Sequence, residues 1–217
     1  MSAPRLLVAT SNPGKMRELV VLCADLPFTL VSLADLDTPI APPEEAGDTC
    51  RDNAMLKASA YATESGLPCL AEDSGFEVAA LDGAPGVRSA RVPGRDDAER
   101  NAWVYEQLDA LGSRVSPARF VSVMALAQAD GAILHVSEGE VAGEIAPEPR
   151  GTNGFGYDPV LYYPPLGRTF AEMTQDEKSA VSHRGHAARL MHDWIRDNVG
   201  RVGPTEGRVG PLDPTRA

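Results

Sequence analysis

Two adjacent carboxylates, a hydroxyl and a glycine, Glu72-Asp73-Ser74-Gly75, follow the short apolar run Leu67-Pro68-Cys69-Leu70-Ala71. Neighbouring acids are raw material for a metal ligand, a general base or both. With the apolar run read as a buried strand, the acids stand at its carboxyl end, where open α/β sheets bind ligands. Successive strand side chains point to opposite faces, so only one of Glu72 and Asp73 readily faces a given cleft. Taken alone, the stretch is equally an acidic strand-to-turn corner.

Three further groups bear on that choice. Ser11-Asn12-Pro13-Gly14-Lys15 lies between the apolar run from Arg5 to Thr10 and a helical pattern of Met16, Leu19, Val20 and Cys23. Asn12 is a good N-cap and Pro13 suits the first helical position. A strand, a polar loop and a capped helix start make an anion site in which backbone N–H groups, the dipole and Lys15 converge. The glycine spacing is not that of a Walker A loop. The proline-punctuated loop Asp37–Gly47 carries Glu44 and Glu45, and its prolines keep it from being a helix. Near the C-terminal end, Phe155-Gly156-Tyr157-Asp158 puts glycine beside aromatic rings, and Lys178, His183 and Arg184 place cationic or titratable groups near a helix start. Glycine permits close backbone approach to a flat ligand, and the cationic group suits an anionic or keto-bearing one. Without support from elsewhere, these two groups read as core filler and a solvated basic face.

The elements that must position these residues alternate between strands and helices. A second strand is expected over Phe28–Leu33, then a helix over Cys50–Ser65, capped by Asp48 or Thr49 and ended by Gly66. On it Asn53 and Lys57 lie one turn apart, a spacing that most often marks solvated surface. Phe76–Leu81 reads as a strand and Asp82–Gly86 as a turn. Asp97–Leu111 reads as a helix with Val104, Leu108 and Leu111 on one face. Arg119–Ala129 is a central strand; Asp130-Gly131 is a two-residue hairpin turn, and Ala132–Ile145 returns antiparallel. A short strand over Val160–Tyr163 follows. A capping box, Thr174 to Glu177, opens one helical turn; Ser182 re-caps a final helix striped by Leu190, Met191, Trp194 and Ile195. The expected fold is α/β with a mixed sheet. From residue 200 the repeated Arg-Val-Gly-Pro has no apolar periodicity and reads as a disordered tail, leaving residues 1–199 as one domain.

Bulk properties narrow the classes. The chain has 217 residues and a net charge of −11, with 20 Lys plus Arg against 31 Asp plus Glu. Such a balance argues against nonspecific nucleic-acid binding, which rests on a basic face. A small polyanion remains a suitable ligand where local donors and a divalent cation supply positive charge. The sequence shows neither a membrane-spanning apolar run nor a secretory signal. Cys23, Cys50 and Cys69 are far apart and odd in number, which points to reduced core thiols of a cytoplasmic protein.

Six segments together resemble the inosine triphosphate pyrophosphatase family: Thr10–Lys15; Glu72–Gly75 with Gly83–Gly86 and Ser89–Arg91; Phe155–Asp158; and Glu177–Gly185. The resemblance spans about residues 5 to 198. It implies a long mixed central sheet flanked by helices, with two lobes around a substrate cleft, assembled as a homodimer. It also implies Mg²⁺-dependent hydrolysis of noncanonical purine nucleoside triphosphates (ITP, dITP, XTP) to monophosphate and pyrophosphate. Carried onto this chain, Thr10, Ser11, Asn12, Pro13, Gly14 and Lys15 hold the phosphates. Glu45 and Asp73 bind Mg²⁺, Asp73 also accepts the proton, and Ser74 touches the substrate. Phe155, Gly156, Tyr157, Asp158, Lys178, His183 and Arg184 form the base pocket. Glu72 stands where many bacterial members have Asp, and Val141 where Trp is frequent.

The implied chemistry suits the residues. Attack of water at a phosphorus needs charge neutralisation and positioning more than covalent help. Lys178 and Arg184 are donors only, which favours a 6-keto oxygen over adenine's 6-amino group. A related pyrophosphatase for modified pyrimidine or other nucleotides and a noncatalytic nucleotide-binding module are the competing readings.

Overall fold

The computed structural model describes residues 3–202, and the greater part of the expected C-terminal tail lies outside the described residues. The elements are β1 (Arg5–Ala9), α1 (Pro13–Leu22), β2 (Thr29–Ser32), α2 (Cys50–Ser65), β3 (Cys69–Val78), β4 (Pro85–Gly86) and α3 (Asp97–Ala110). They continue with β5 (Pro117–Ala127), β6 (Ile133–Ile145), β7 (Leu161–Tyr163), β8 (Arg168–Thr169), α4 (Gln175–Val181), α5 (His183–Asp197) and α6 (Val199–Val202). Residues 200–202, placed in the tail by their composition, belong to α6, and Val202 is buried.

The strands form one mixed sheet in the order β2-β1-β3-β5-β6-β7-β8, with β4 also on β3. β1 is parallel to β2 and β3; the remaining pairings are antiparallel. Side-chain alternation divides the core as strand geometry requires. Leu6, Val8, Leu70, Met124 and Leu126 meet Leu19 of α1 and Ala187, Met191 and Ile195 of α5. The intervening residues Leu7, Ala9, Ala71, Val123 and Ala125 meet Ala54, Ala58 and Tyr61 of α2 on the other face. A third cluster fills the far lobe, where Phe76 and Val78 pack with Val104 and Leu108 of α3, Phe120, Val160 and Phe170.

Several local expectations change. Glu72 and Asp73 are not at a strand's end, and Phe76–Leu81 is not a separate strand. β3 runs unbroken through both, and Ala79–Leu81 is a 3₁₀ turn. Continuous pairing with β5 from Cys69 to Val78 carries it across the glycine. Asp130-Gly131 is not a two-residue turn: pairing slips between Leu126 and Ala127, and Gln128 N–H closes the wider loop on the Ala132 carbonyl. Leu111 and Leu190 are exposed. Leu111 falls past the end of α3, and the α5 contact is made by small Ala187 and Ala188, which bring the helix close to the sheet.

That closeness positions the cleft. Gly139 of β6 faces α5, and a Cβ there would lie 2.3 Å from the His183 carbonyl oxygen and 2.5 Å from the Ala187 nitrogen. Both are backbone atoms of α5, so a methyl group must push the helix away and carry His183 and Arg184 with it. Gly139→Ala is expected to cost about 1–3 kcal/mol, read as a lower urea midpoint with an unchanged slope.

Candidate active site

β3 is longer than its parallel neighbour. β1 pairs with it only as far as Ala9 opposite Ala71, and β4 begins opposite Phe76. Residues 72–75 therefore have a strand partner on the β5 side alone, and the resulting gap opens a cleft of about 490 Å³ between the lobes. Thr10, Ser11, Asn12, Pro13 and Lys15 line one wall; Glu45, Asp73 and Ser74 line the floor. Phe155, Gly156, Tyr157, Asp158, Lys178, His183 and Arg184 complete it. Of the residues that the family resemblance assigns to the site, only Gly14 does not line the cavity. It lies beneath the Phe155 ring, where a Cβ would sit 2.6 Å from ring carbons.

Glu72 and Asp73 diverge as alternation requires. On the α1/α5 face, Glu72 is buried: its Oε1 accepts from Ser122 Oγ at 2.9 Å and from Arg184 Nε and Nη2 at 3.2 and 3.0 Å, while Lys15 Nζ lies 2.8 Å from Oε2. Burial works against its charge, but Arg184 and Lys15 outweigh it and hold the carboxyl far below the usual range. On the α2 face, Asp73 Oδ1 accepts from Lys57 Nζ at 2.7 Å. Its Oδ2 is buried without a hydrogen-bond partner.

Lys57 is the main residue that sequence spacing missed. It is buried, and Glu45 Oε1 lies 2.9 Å from the same ammonium. Burial alone would lower its pKa, but Asp73 and then Glu45 raise it. Asn53, one turn earlier, accepts from the Gly47 N–H at 2.9 Å and so ties down the loop that presents Glu45. The Asn53–Lys57 spacing is therefore a buried working face, not solvated surface. Arg91 Nη2 contacts the other oxygen of Glu45 at 2.9 Å. Cys50 adjoins Asp73, and burial followed by the Asp73 charge pushes its thiol up to about 12. It is a protonated core thiol, like Cys23 and Cys69.

The geometry of the Thr10–Lys15 loop follows its caps. Asn12 Oδ1 accepts from Lys15 N–H at 3.0 Å, so one helix-start donor is already used. Pro13 contributes none. The Lys15 side chain then carries more of any attraction for an anion than the helix start does.

Lys178, His183 and Arg184 belong to a buried charge cluster rather than a solvated basic face. Glu18 of α1, which no sequence signal marked beyond its place one turn after Lys15, accepts from Lys178 Nζ at 2.7 Å and also from Arg184 Nη1. Burial raises its pKa, but Arg184 and Lys178 bring it below the normal value. Lys178 also donates to Asp158 Oδ2 at 2.5 Å, and that oxygen accepts the Phe155 N–H at 2.8 Å. Asp158 thus shapes the aromatic turn and anchors Lys178, while its burial raises its own pKa. Lys178 Nζ and Arg184 lie 4.9 and 5.5 Å from the Phe155 ring centroid. Tyr157 donates to the Ser89 carbonyl at 2.8 Å, and Ser89 Oγ accepts from Phe76 N–H at 2.8 Å. Ser89-Ala90-Arg91 thereby locks the far lobe to β3.

Among the described residues, no group of three or more His, Cys, Asp or Glu side chains is arranged to hold a metal. Glu45 and Asp73, with the orphaned Oδ2, fit a hard divalent cation that takes few protein oxygens and fills its shell from water and phosphate.

His183 stacks on Phe120 with ring centroids 4.6 Å apart, and its buried Nδ1 has no partner. Burial and then Arg184 push its pKa well below 6.5, leaving a neutral imidazole. Below that pH the unfolded chain binds a proton that the folded state refuses, so this contribution is complete above 6.5 and lost on acidification. His135 shifts the same way through burial. In a His135→Gln background, melting temperature is expected to fall from about pH 7 to about pH 5, and adding His183→Gln should flatten that fall. An unchanged slope would mean that His183 is charged in the folded protein.

Comparison with known proteins finds relatives along most of the chain. The Ham1 family model matches residues 6–194. A dITP/XTP pyrophosphatase from Thermus thermophilus is 46% identical over 210 residues, covering 96% of this chain and 98% of the relative. One from Deinococcus deserti is 48% identical over 196 residues, covering 90% and 91%. Among solved structures, a HAM1 protein from Coxiella burnetii superposes with a TM-score of 0.81 at 40% identity, covering 89% of this chain and 99% of that one. A nucleoside-triphosphatase/dITP/XTP pyrophosphatase from Mycobacterium abscessus gives 0.66 at 40% identity, covering 88% and 98%. The family resemblance in the motifs is borne out along nearly the whole described chain, which belongs to the Ham1 family.

Proposed function

We propose that this protein hydrolyses noncanonical purine nucleoside triphosphates (ITP, dITP and XTP) to the monophosphate and pyrophosphate. One observation carries the reading. A single cleft joins a carboxylate pair, Glu45 and Asp73, to a lysine-bearing phosphate loop on one side and to a donor-rich aromatic pocket on the other. The relatives described as dITP/XTP pyrophosphatases support the same substrate class. Mg²⁺ is the expected cation, held by Glu45 and Asp73, where it supplies charge neutralisation at the phosphates. We assign a homodimeric state and a cytoplasmic location from the family resemblance. Among the described residues no helix is long and apolar enough to cross a membrane.

The protein's own residues divide the work. Lys15 and the Thr10–Gly14 loop receive the phosphates. Asp73 Oδ2, without a partner in the free protein, accepts the proton of the attacking water. The water oxygen bonds to the α-phosphorus as the bond from that phosphorus to the bridging oxygen breaks, and pyrophosphate leaves. In the base pocket, Lys178 has three donors and uses two on Glu18 and Asp158. Its third N–H suits an acceptor such as a 6-keto oxygen and has nothing to offer a 6-amino group. Phe155 supplies a face for the ring, and neutral His183 supplies a nitrogen that adds no charge.

In a pyrophosphate-release panel, ITP, dITP and XTP are expected to turn over well above ATP and GTP. Release of single phosphates, or preference for modified pyrimidine triphosphates, would overturn the assignment. Asp73→Asn should lower kcat by about a hundredfold or more with little change in the circular dichroism spectrum. Near-normal turnover would move the base to another residue.

A further inference from the structure

We propose that Lys57 is an internal counter-cation for the metal position: it holds Glu45 and Asp73 together in the free protein and transfers to the substrate phosphates when a divalent cation takes its place. This inference rests on the reading of Glu45 and Asp73 as metal ligands. Glu45 Oε1 and Asp73 Oδ1, from a loop and a strand, converge on the Lys57 ammonium at 2.9 and 2.7 Å. Glu45 and Asp73 would hold a divalent cation in competition with the ammonium, because both cations draw on the same two acids. Lysine is suited to yielding: its charge is compact, and its four-carbon stem pivots without disturbing α2. The stem is anchored in the α2 face, while the cavity that Lys57 lines continues toward Lys15 and the phosphate loop. An ammonium leaving the carboxylates thus moves toward the place where the triphosphate arrives.

Arg91 makes the same exchange at the rim. It holds the other oxygen of Glu45 at 2.9 Å and is half exposed, so it too is released once Glu45 turns to the metal. Before loading, two protein cations neutralise the acids; after loading, the same two neutralise phosphate. No buried charge is left unpaired at either stage, which spares the desolvation penalty of an isolated ion. Metal and triphosphate are therefore positively coupled: each strengthens the other's binding by the same factor. Metal alone binds weakly because it must displace Lys57 with no anion to receive it.

The test is Mn²⁺ binding, followed by the electron paramagnetic resonance signal of the free ion, on wild-type protein and Lys57→Met. Without nucleotide, K57M should bind Mn²⁺ at least about fivefold tighter, the lower end of ordinary coupling. Saturating pyrophosphate should tighten Mn²⁺ binding in wild type by a larger factor than in K57M. Equal affinity of the two proteins without pyrophosphate, or an equal gain with it, overturns the proposal. Glu45→Gln and Asp73→Asn in the K57M background separate the two failures. Loss of Mn²⁺ binding there upholds the metal site even if Lys57 proves inert, whereas unchanged binding overturns the metal site itself. If K57M does not fold, wild-type protein carrying ¹⁵N-lysine gives an independent reading. The Lys57 ammonium resonance, assigned by its loss in Lys57→Arg, should shift on adding Mg²⁺ with pyrophosphate, and a stationary resonance overturns the proposal.

Discussion

The unequal lengths of β1 and β3 are the constraint from which the site follows. β3 pairs with β5 over its whole length, but β1 turns away after Ala9 and β4 returns only at Gly86. A strand held on one side and open on the other presents both faces at a single edge. Glu72 and Asp73, which alternation sends to opposite sides, can therefore border the same cleft while each belongs to a different helix layer. Glu72 joins α1 and α5 through Lys15 and Arg184; Asp73 joins α2 through Lys57. The adjacent acids are two anchors for two walls: both Glu72 oxygens face cations or donors, whereas Asp73 keeps Oδ2 away from Lys57.

Charge on this protein is a local quantity. The net of −11 is unfavourable for binding a triphosphate, yet Lys15, Lys57, Lys178 and Arg184 all face one cleft. They are kept there by Glu18, Glu45, Glu72, Asp73 and Asp158. Removing one member of such a buried set leaves its partner uncompensated, at about 3–5 kcal/mol for an ordinary buried pair. Surface pairs such as Arg51–Glu138 contribute little by comparison.

The elements with strong local signals were legible in the sequence. The α2 helix begins after the Thr49 cap and ends before Gly66 in its left-handed conformation, as its residues dictate, and the Thr174–Glu177 box forms with both reciprocal bonds. Asn12 and Ser182 cap as expected. The misread places lacked local information. Gly75 suggested a strand break, but β3 continues because β5 pairs along its full length, and Gly75 is needed because β4 crosses closely: a Cβ would meet the Gly86 oxygen at 2.7 Å. Asp130-Gly131 has the composition of a tight turn, and a slip in pairing one strand-end away widens it. Lys57 and Glu18 look like ordinary helix-surface charges, because what buries them comes from segments distant in sequence. The partner of Glu18, Arg184, is 166 residues away.

That pattern points to how the cleft avoids being a permanently charged void. Each cation that faces it already has an acid partner, and the acids sit on strand β3, on helix α1, or on a loop and a turn tied down by their own hydrogen bonds. A ligand arriving with its own negative charge does not have to draw lysines in from water; it takes over contacts that the acids have kept in place. The cost of ordering those side chains falls on folding and not on binding. Such an arrangement favours a ligand that matches several cations at once over a simple anion that matches one. The purine triphosphates proposed as substrates carry acceptors at both ends, phosphate oxygens and a keto group, and Lys15 and Lys178 line the same cavity.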